Sequence, residues 1–250
     1  MNQKSSTSDN GGYPEFCLQA VQDETIFSNF KSNPIYNMIL EHVDYNLGLA
    51  YYNEFKENQD LVDNLNKFKI NDELGNTRKA NFPFGIFSPS TMRYVKTLHD
   101  LLDFRIENSN IIEIGGGYGG QCTIIKSHVN IKSYSIVDIT GPIKLTEKYL
   151  TQLGMNENVS FIDANDEFSF KDSYDLIISN YAISECNTEV QKYYIENILS
   201  KSKQGYIIHN QFNGYSLDEF IEILKSLNKN IECTQEVPLS GSKNMLLTWR

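Results

Sequence analysis

Basic side chains are in short supply: 22 Lys and Arg stand against 32 Asp and Glu in 250 residues, a formal net charge of -10. Nucleic acid and anionic membrane surfaces both demand a basic face, so this balance argues against either as a partner. Long apolar runs are missing too. No stretch approaches the ~20 residues of a membrane-spanning helix, and no signal peptide opens the chain, so we expect no membrane insertion and a cytoplasmic location. Cysteine is sparse. Cys17, Cys122, Cys186 and Cys233 make no C-x-x-C pair and no metal-ligand spacing, which suits apolar fillers in a reducing compartment. No His/Asp/Glu cluster has ligand spacing either, so no metal is expected. A small-molecule substrate is the default that remains.

What is present centres on residues 110–120, Asn-Ile-Ile-Glu-Ile-Gly-Gly-Gly-Tyr-Gly-Gly. Ile111, Ile112 and Ile114 read as a buried parallel strand that stops in glycines and opens a helix near Gln121. Such a strand end lets a ligand approach the backbone and offers it free N–H donors. Two patterns overlap here. Gly115-x-Gly117-x-x-Gly120, with Asp138 at the ribose spacing, matches the dinucleotide fingerprint. Glu113-x-Gly115-x-Gly117-x-Gly119 matches the first motif of enzymes that use S-adenosylmethionine. The acidic Glu113 favours the second, because it suits an amino group and would oppose a pyrophosphate. The position of the motif, about a hundred residues into the chain, favours it as well.

Residues 1–12 carry almost no apolar surface and are expected to be disordered. Residues 13–109 read as a helical, aromatic-rich extension, a candidate homodimer surface. One helix would start at the Asn33 cap and Pro34, with Ile35, Met38, Ile39, His42 and Val43 on its apolar face. Another would start at Ser88-Pro89, with Met92, Val95, Leu98 and Leu102 inward and Arg93 and Lys96 on the other side. In residues 110–250, strands at Tyr134–Asp138, Val159–Asp163, Asp175–Asn180 and Tyr206–Asn210 alternate with helices. Alternation predicts a doubly wound, mostly parallel α/β sheet of seven strands. It should close with an antiparallel hairpin, Ile231–Val237 and Met245–Trp249, since Pro238–Asn244 is too short for a crossover.

With these segments in view, the chain resembles a class I S-adenosylmethionine-dependent methyltransferase, and within that class a bacterial family of sugar O-methyltransferases. The resemblance is carried by Ile39–Val43, Phe87–Tyr94, Glu113–Gln121, Asn180–Glu185 and Gly205–Tyr206. It implies S-adenosylmethionine as donor, S-adenosylhomocysteine as product, and a sugar or nucleotide-sugar acceptor from a surface-polysaccharide (capsule-type) pathway. It also implies a Rossmann-like donor site built from Glu113, Gly115, Gly116, Gly117, Gly119, Asp138 and Ile139, with Asp163, Ala164, Asn165 and Asn180 following at later strand ends. Asp138 would take the ribose hydroxyls and the Asp163 turn the adenine edge.

A sugar hydroxyl needs a base, and two residues stand at strand ends for it: His209, and Glu185 as second base or partner of His209. Substrate contacts are expected from Arg93, which suits a phosphate or the donor carboxylate, and from Tyr118 and Tyr181 by stacking. His42 and Asn210 complete the set. Competing readings are N- or phosphate-oxygen methylation in the same pathway, an NAD-dependent dehydrogenase, and a methyltransferase-like module without chemistry.

Overall fold

The computed structural model describes residues 12–166, 170–171 and 173–250. The expectation of disorder in residues 1–12 therefore lies outside the described residues, apart from Gly12, which caps the first helix.

The extension begins with α1 (Tyr13–Gln22), α2 (Glu24–Phe27) and α3 (Pro34–Ile39). Asn33 caps α3 as expected, its side chain accepting from the Ile35 N–H at 2.9 Å. The helix is shorter than its pattern, stopping at Ile39, and Met38 is 73% exposed. Two side chains that turn away explain the break. Glu41 is buried, taking the Thr77 hydroxyl at 3.1 Å, and Asp44 caps α4 (Tyr45–Phe55) through the Leu47 N–H. His42 is consequently exposed in the connecting segment and does not lie on an apolar helix face.

Next come α5 (Gln59–Asp63) and a short hairpin absent from the helical reading, β1 (Ala80–Phe82) with β2 (Gly85–Phe87). The hairpin packs through stacked rings: Tyr45 on Phe82 at 4.8 Å and Tyr52 on Phe84 at 3.7 Å between centroids. Helix α6 (Pro89–Leu102) does start at Pro89, but every residue from Pro89 to Leu98 is buried. Arg93 and Lys96 thus point inward too, contrary to the amphipathic reading. The helix is wedged between extension and sheet, and Lys96 is stabilised there by Asp100 at 2.7 Å, which also accepts from the Tyr206 hydroxyl.

From residue 110, strands β3 (Asn110–Ile114), β4 (Ser133–Asp138), β5 (Val159–Asp163), β6 (Tyr174–Asn180) and β7 (Ser202–His209) are mutually parallel. The closing hairpin, β8 (Glu232–Gln235) and β9 (Met245–Trp249), adds on through β9, antiparallel to β7. Sheet order is β5-β4-β3-β6-β7-β9-β8, so the direction of winding reverses at β3/β6. Helices α7 (Gly120–His128), α8 (Thr140–Gln152), α9 (Ala182–Glu185), α10 (Thr188–Asn197) and α11 (Leu217–Ser226) fill the crossovers. This is the expected Rossmann-like doubly wound sheet, and its reversal point is where such folds bind ligands.

Period-two alternation divides the strands between two cores. Ile111, Ile136, Ile178, Tyr206 and Ile208 face the extension, sharing one cluster with Phe16, Phe30 and Tyr36. Ile112, Val137, Ile177 and Ile207 face the other way, onto Phe220 and Leu224 of α11.

Candidate active site

Glu113, the penultimate residue of β3, is buried at 2% exposure and accepts from the Tyr134 hydroxyl at 2.9 Å. Burial pushes its carboxyl up to about 8 despite that hydrogen bond, with the Asp138 charge adding to the rise. The turn beyond it requires glycine. Gly115 has φ +77°, and a Cβ there would lie 2.0 Å from that of Ala182. Gly117 has φ +60°, and a Cβ would meet Leu40 of the extension at 2.8 Å. The Asp138 carboxylate accepts from the Gly117 N–H at 3.1 Å and the Ile139 N–H at 2.8 Å, joining β4 to the loop.

Two adjoining cavities open at these strand ends. The smaller, about 140 Å³, is lined by Gly115, Gly117, Asp138, Ile139, Ala164 and Asn165, with Tyr13, Ile39 and Leu40 covering it from the extension. The larger, about 610 Å³, takes in Glu113, Gly115, Gly116, Arg93, Tyr94, His42 and Asn210. Asn180, Tyr181 and Glu185 line both, so they mark the junction. The Asn180 Oδ1 there is buried without a partner. Tyr181 has φ +70°, uncommon for a bulky residue, and its hydroxyl donates to Glu236 at 2.5 Å. Glu185 accepts from the Asn210 amide at 3.1 Å.

Four expected residues fall outside both cavities. His209 is one, and its register is the cause. It lies on the same strand face as Ile207, so its ring packs 5.2 Å from Phe220 in the core under α11, fully buried. Its Nδ1 accepts from the Gln211 N–H at 3.2 Å, its Nε2 has no partner, and burial lowers its pKa to about 4. A neutral imidazole enclosed on that face does not reach a hydroxyl in the cleft, which corrects its expected role as base.

Tyr118 is the second, buried at 1% exposure. Its hydroxyl accepts from Asn71 at 3.1 Å and the Lys31 ammonium lies 4.1 Å from its ring centre, so it pins the glycine loop to the extension and does not stack on a substrate. Gly119 is the third. It caps α7 at φ +89°, packed against Leu150 and Thr146. Asp163, the fourth, holds the turn whose Ala164 and Asn165 do face the cavity, accepting from the Asn165 N–H at 2.9 Å.

Arg93 lines the larger cavity at 8% exposure. Its Nη2 donates to the Leu40 carbonyl at 3.0 Å, holding that segment over the glycine loop. His42 stands at the rim, where desolvation and then the Arg93 charge hold its imidazole below the usual range. Residues 240–244, between β8 and β9, form a further wall that the sequence did not single out. Glu236 organises this loop, accepting from the Ser240 N–H, the Ser240 hydroxyl and the Asn244 amide at 3.2, 2.7 and 2.8 Å. Nothing in the local pattern marks Glu236; it reads as a hairpin residue until the fold brings Tyr181 to it. Among the described residues, no group of three or more His, Cys, Asp or Glu is placed to hold a metal ion, and no helix is long and apolar enough to cross a membrane.

No protein-family model and no curated protein sequence matches the chain. Solved structures do. An O-methyltransferase family protein from Burkholderia thailandensis is similar at TM-score 0.45 and 13% identity over 62% of this chain and 56% of its own. A SAM-dependent methyltransferase from Aquifex aeolicus is similar at TM-score 0.48 and 16% identity over 61% of this chain and 87% of its own. The mitomycin 7-O-methyltransferase is similar at TM-score 0.46 and 12% identity, over 64% and 56%. At these levels the chemistry rests on this chain's own cleft.

Proposed function

We propose that the protein is an S-adenosylmethionine-dependent methyltransferase acting on a hydroxyl of a sugar or nucleotide-sugar. One observation carries this reading: two cavities meet at Glu185, one lined by the glycine loop and Asp138, the other open to an acceptor. The residues fit the donor. Gly115 and Gly117 leave no room for a side chain, and the unpartnered Asn180 Oδ1 waits for a donor hydrogen. The smaller cavity is lined by the carboxyl groups of Asp138 and Glu185 and by no Lys, Arg or His, which suits a cationic ligand. The same polarity argues against the dehydrogenase reading, since a pyrophosphate would meet carboxylates and no cation.

Bound in this cleft, S-adenosylmethionine supplies a methyl carbon already activated by a sulfonium. Asp138 can take the ribose hydroxyls, Asn165 the base edge and Glu113 the ammonium. The chain's contribution to the transfer is alignment, whose entropic value reaches ~7–11 kcal/mol in good cases. Glu185 is the group placed to receive the hydroxyl proton, oriented by Asn210, and a positioned base contributes ~10²–10⁴-fold. The sugar class follows from the resemblance of the segments named above, supported by a polar cavity wide enough for a polyhydroxylated acceptor.

Titration calorimetry with S-adenosylhomocysteine and with NADH tests the donor. We expect the first to bind and Asp138→Ala to weaken it by roughly 10–100-fold, the equivalent of one charge-assisted hydrogen bond. NADH binding in its place would overturn the reading. Incubation with S-adenosylmethionine and a nucleotide-sugar panel, followed by mass spectrometry, then identifies the acceptor.

A further inference from the structure

The basic side chains of the two cavities all fall in one of them, beside the carboxyl groups of Glu113 and Glu185. His42, Arg93 and Lys243 line the larger cavity and none of them lines the smaller. That sorting is not a by-product of composition, because the chain as a whole carries a net charge of -10.

Arg93 is the most telling of the three. It is 92% buried by its 8% exposure, yet among the described residues it forms no ion pair. Its hydrogen-bond partners are neutral, the Leu40 carbonyl at 3.0 Å and the Tyr94 hydroxyl at 3.4 Å. A guanidinium withdrawn from water against neutral partners alone is unfavourable, and an anion completing the site would offset that cost. Another wall, the β8–β9 loop, presents Ser240 to Lys243, and Lys243 likewise makes no ion pair among the described residues. This loop is held in place: the buried Glu236 accepts from both its Ser240 groups and from Asn244.

We propose that the larger cavity contains a site for an oxyanionic group of the acceptor, phosphoryl or carboxylate, seated between Arg93 and the Ser240–Lys243 segment. The guanidinium fork matches either group bidentately. Polarity then orients the acceptor. Its anion is attracted to the Arg93 side and repelled by Glu185 at the junction, which leaves a hydroxyl to face the base. The inference deepens the methyltransferase reading and rests on it.

The test is calorimetry on the full chain saturated with S-adenosylhomocysteine, titrated with inorganic pyrophosphate and, separately, with glucuronate. We expect at least one probe to bind this complex, more weakly as salt rises. Tighter binding of pyrophosphate assigns a phosphoryl acceptor, and tighter binding of glucuronate a carboxylate. Arg93→Met should weaken the better probe by about tenfold or more. Lys243→Ala, at an exposed position that tolerates change, should weaken it by about threefold while S-adenosylhomocysteine affinity holds. If Arg93→Met does not fold, Lys243→Ala decides. Failure of both probes to bind the wild-type complex overturns the proposal, as does binding that both variants leave intact. Competition between probe and S-adenosylhomocysteine also overturns it, because Arg93 would then serve the donor's carboxylate. S-adenosylhomocysteine that does not bind in its own titration would instead sink the methyltransferase reading beneath it.

Discussion

The two halves of this molecule bury charge in different ways. In the sheet, the fully enclosed ionisable groups sit at strand ends: Glu113 in β3, His209 in β7, and Glu236 just past β8. In the extension they are scattered through the packing: Lys31, Glu41, Asp72, Arg93 and Lys96 are all buried. Lys31 makes no direct ion pair among the described residues, though Glu41 and Asp72 act on it from a distance, and it donates to the Asn71 carbonyl at 2.6 Å and the Tyr149 hydroxyl at 3.1 Å. Asp72 accepts from the Ser88 N–H at 2.7 Å and the Thr91 hydroxyl at 2.6 Å. The sheet half can spend its polar groups on the cleft because strand pairing satisfies its backbone. The extension has short, irregular elements, so its polar groups must satisfy the backbone and one another. The donor side of the cleft therefore comes from the sheet, while the far wall is shared by the extension and the closing hairpin.

The sharpest way to break that division is at Glu185, the sheet residue where both cavities meet. Glu185→Gln should lower kcat by roughly 10²–10⁴-fold while S-adenosylhomocysteine affinity is unchanged by calorimetry. Near-wild-type turnover would move the base elsewhere or leave alignment to drive the reaction.

His209 tests the opposite claim, that an ionisable group at a strand end can be purely structural. Its folded pKa near 4 lies below the ordinary 6.5, so the unfolded chain binds more protons between those values. Its contribution is complete above pH 6.5 and is lost as pH falls towards 4. Relative to His209→Asn, the wild type should lose about 2–3 kcal/mol over that window in urea unfolding, with kcat little changed. A large loss of turnover in His209→Asn, with stability intact, would restore it to the chemistry.

Glu113 sharpens the donor side. Its carboxyl is held up to about 8 in the empty cleft, and pairing with an ammonium requires the ionised form. Below pH 8, affinity for S-adenosylhomocysteine should rise by about tenfold per pH unit, and binding should release close to one proton. Calorimetry in buffers of different ionisation enthalpy reads that proton. In Glu113→Gln both the slope and the release should vanish. Folding responds in the opposite sense: because the folded pKa exceeds the usual 4.5, the empty protein loses stability as pH rises from 4.5 through 8.

The smallest expected effect lies in the extension's own network. Tyr118→Phe removes one acceptor, but Asn71 keeps the Thr91 hydroxyl at 2.9 Å and Lys31 keeps an aromatic ring. A cost of about 1 kcal/mol in chemical denaturation is expected, with donor affinity unchanged. A specific loss of acceptor binding would instead place Tyr118 in the substrate site.

The sequence alone determined the sheet and the donor end of the cleft. Their signals are local: β-branched runs of period two, glycines that must adopt positive φ, and acidic strand ends. Strand boundaries at Val159–Asp163 and Met245–Trp249 were legible to the residue; the hairpin was legible as well, because Pro238–Asn244 is too short for anything else, although its first strand is Glu232–Gln235 and shorter than the expected Ile231–Val237. Only the tertiary structure decided three things. It sent His209 to the back of the sheet: alternation puts His209 on the face of Ile207, but both faces of β7 are buried there, so only packing decides which one lies under α11. It turned Arg93 inward, because α6 is covered on all sides and an amphipathic pattern presumes one solvent face. And it joined Lys31 to Tyr149, 118 residues away, and Tyr181 to Glu236, 55 residues away. Hydrogen bonds of that separation leave no periodic trace in a sequence; they exist only once the sheet has set the distances.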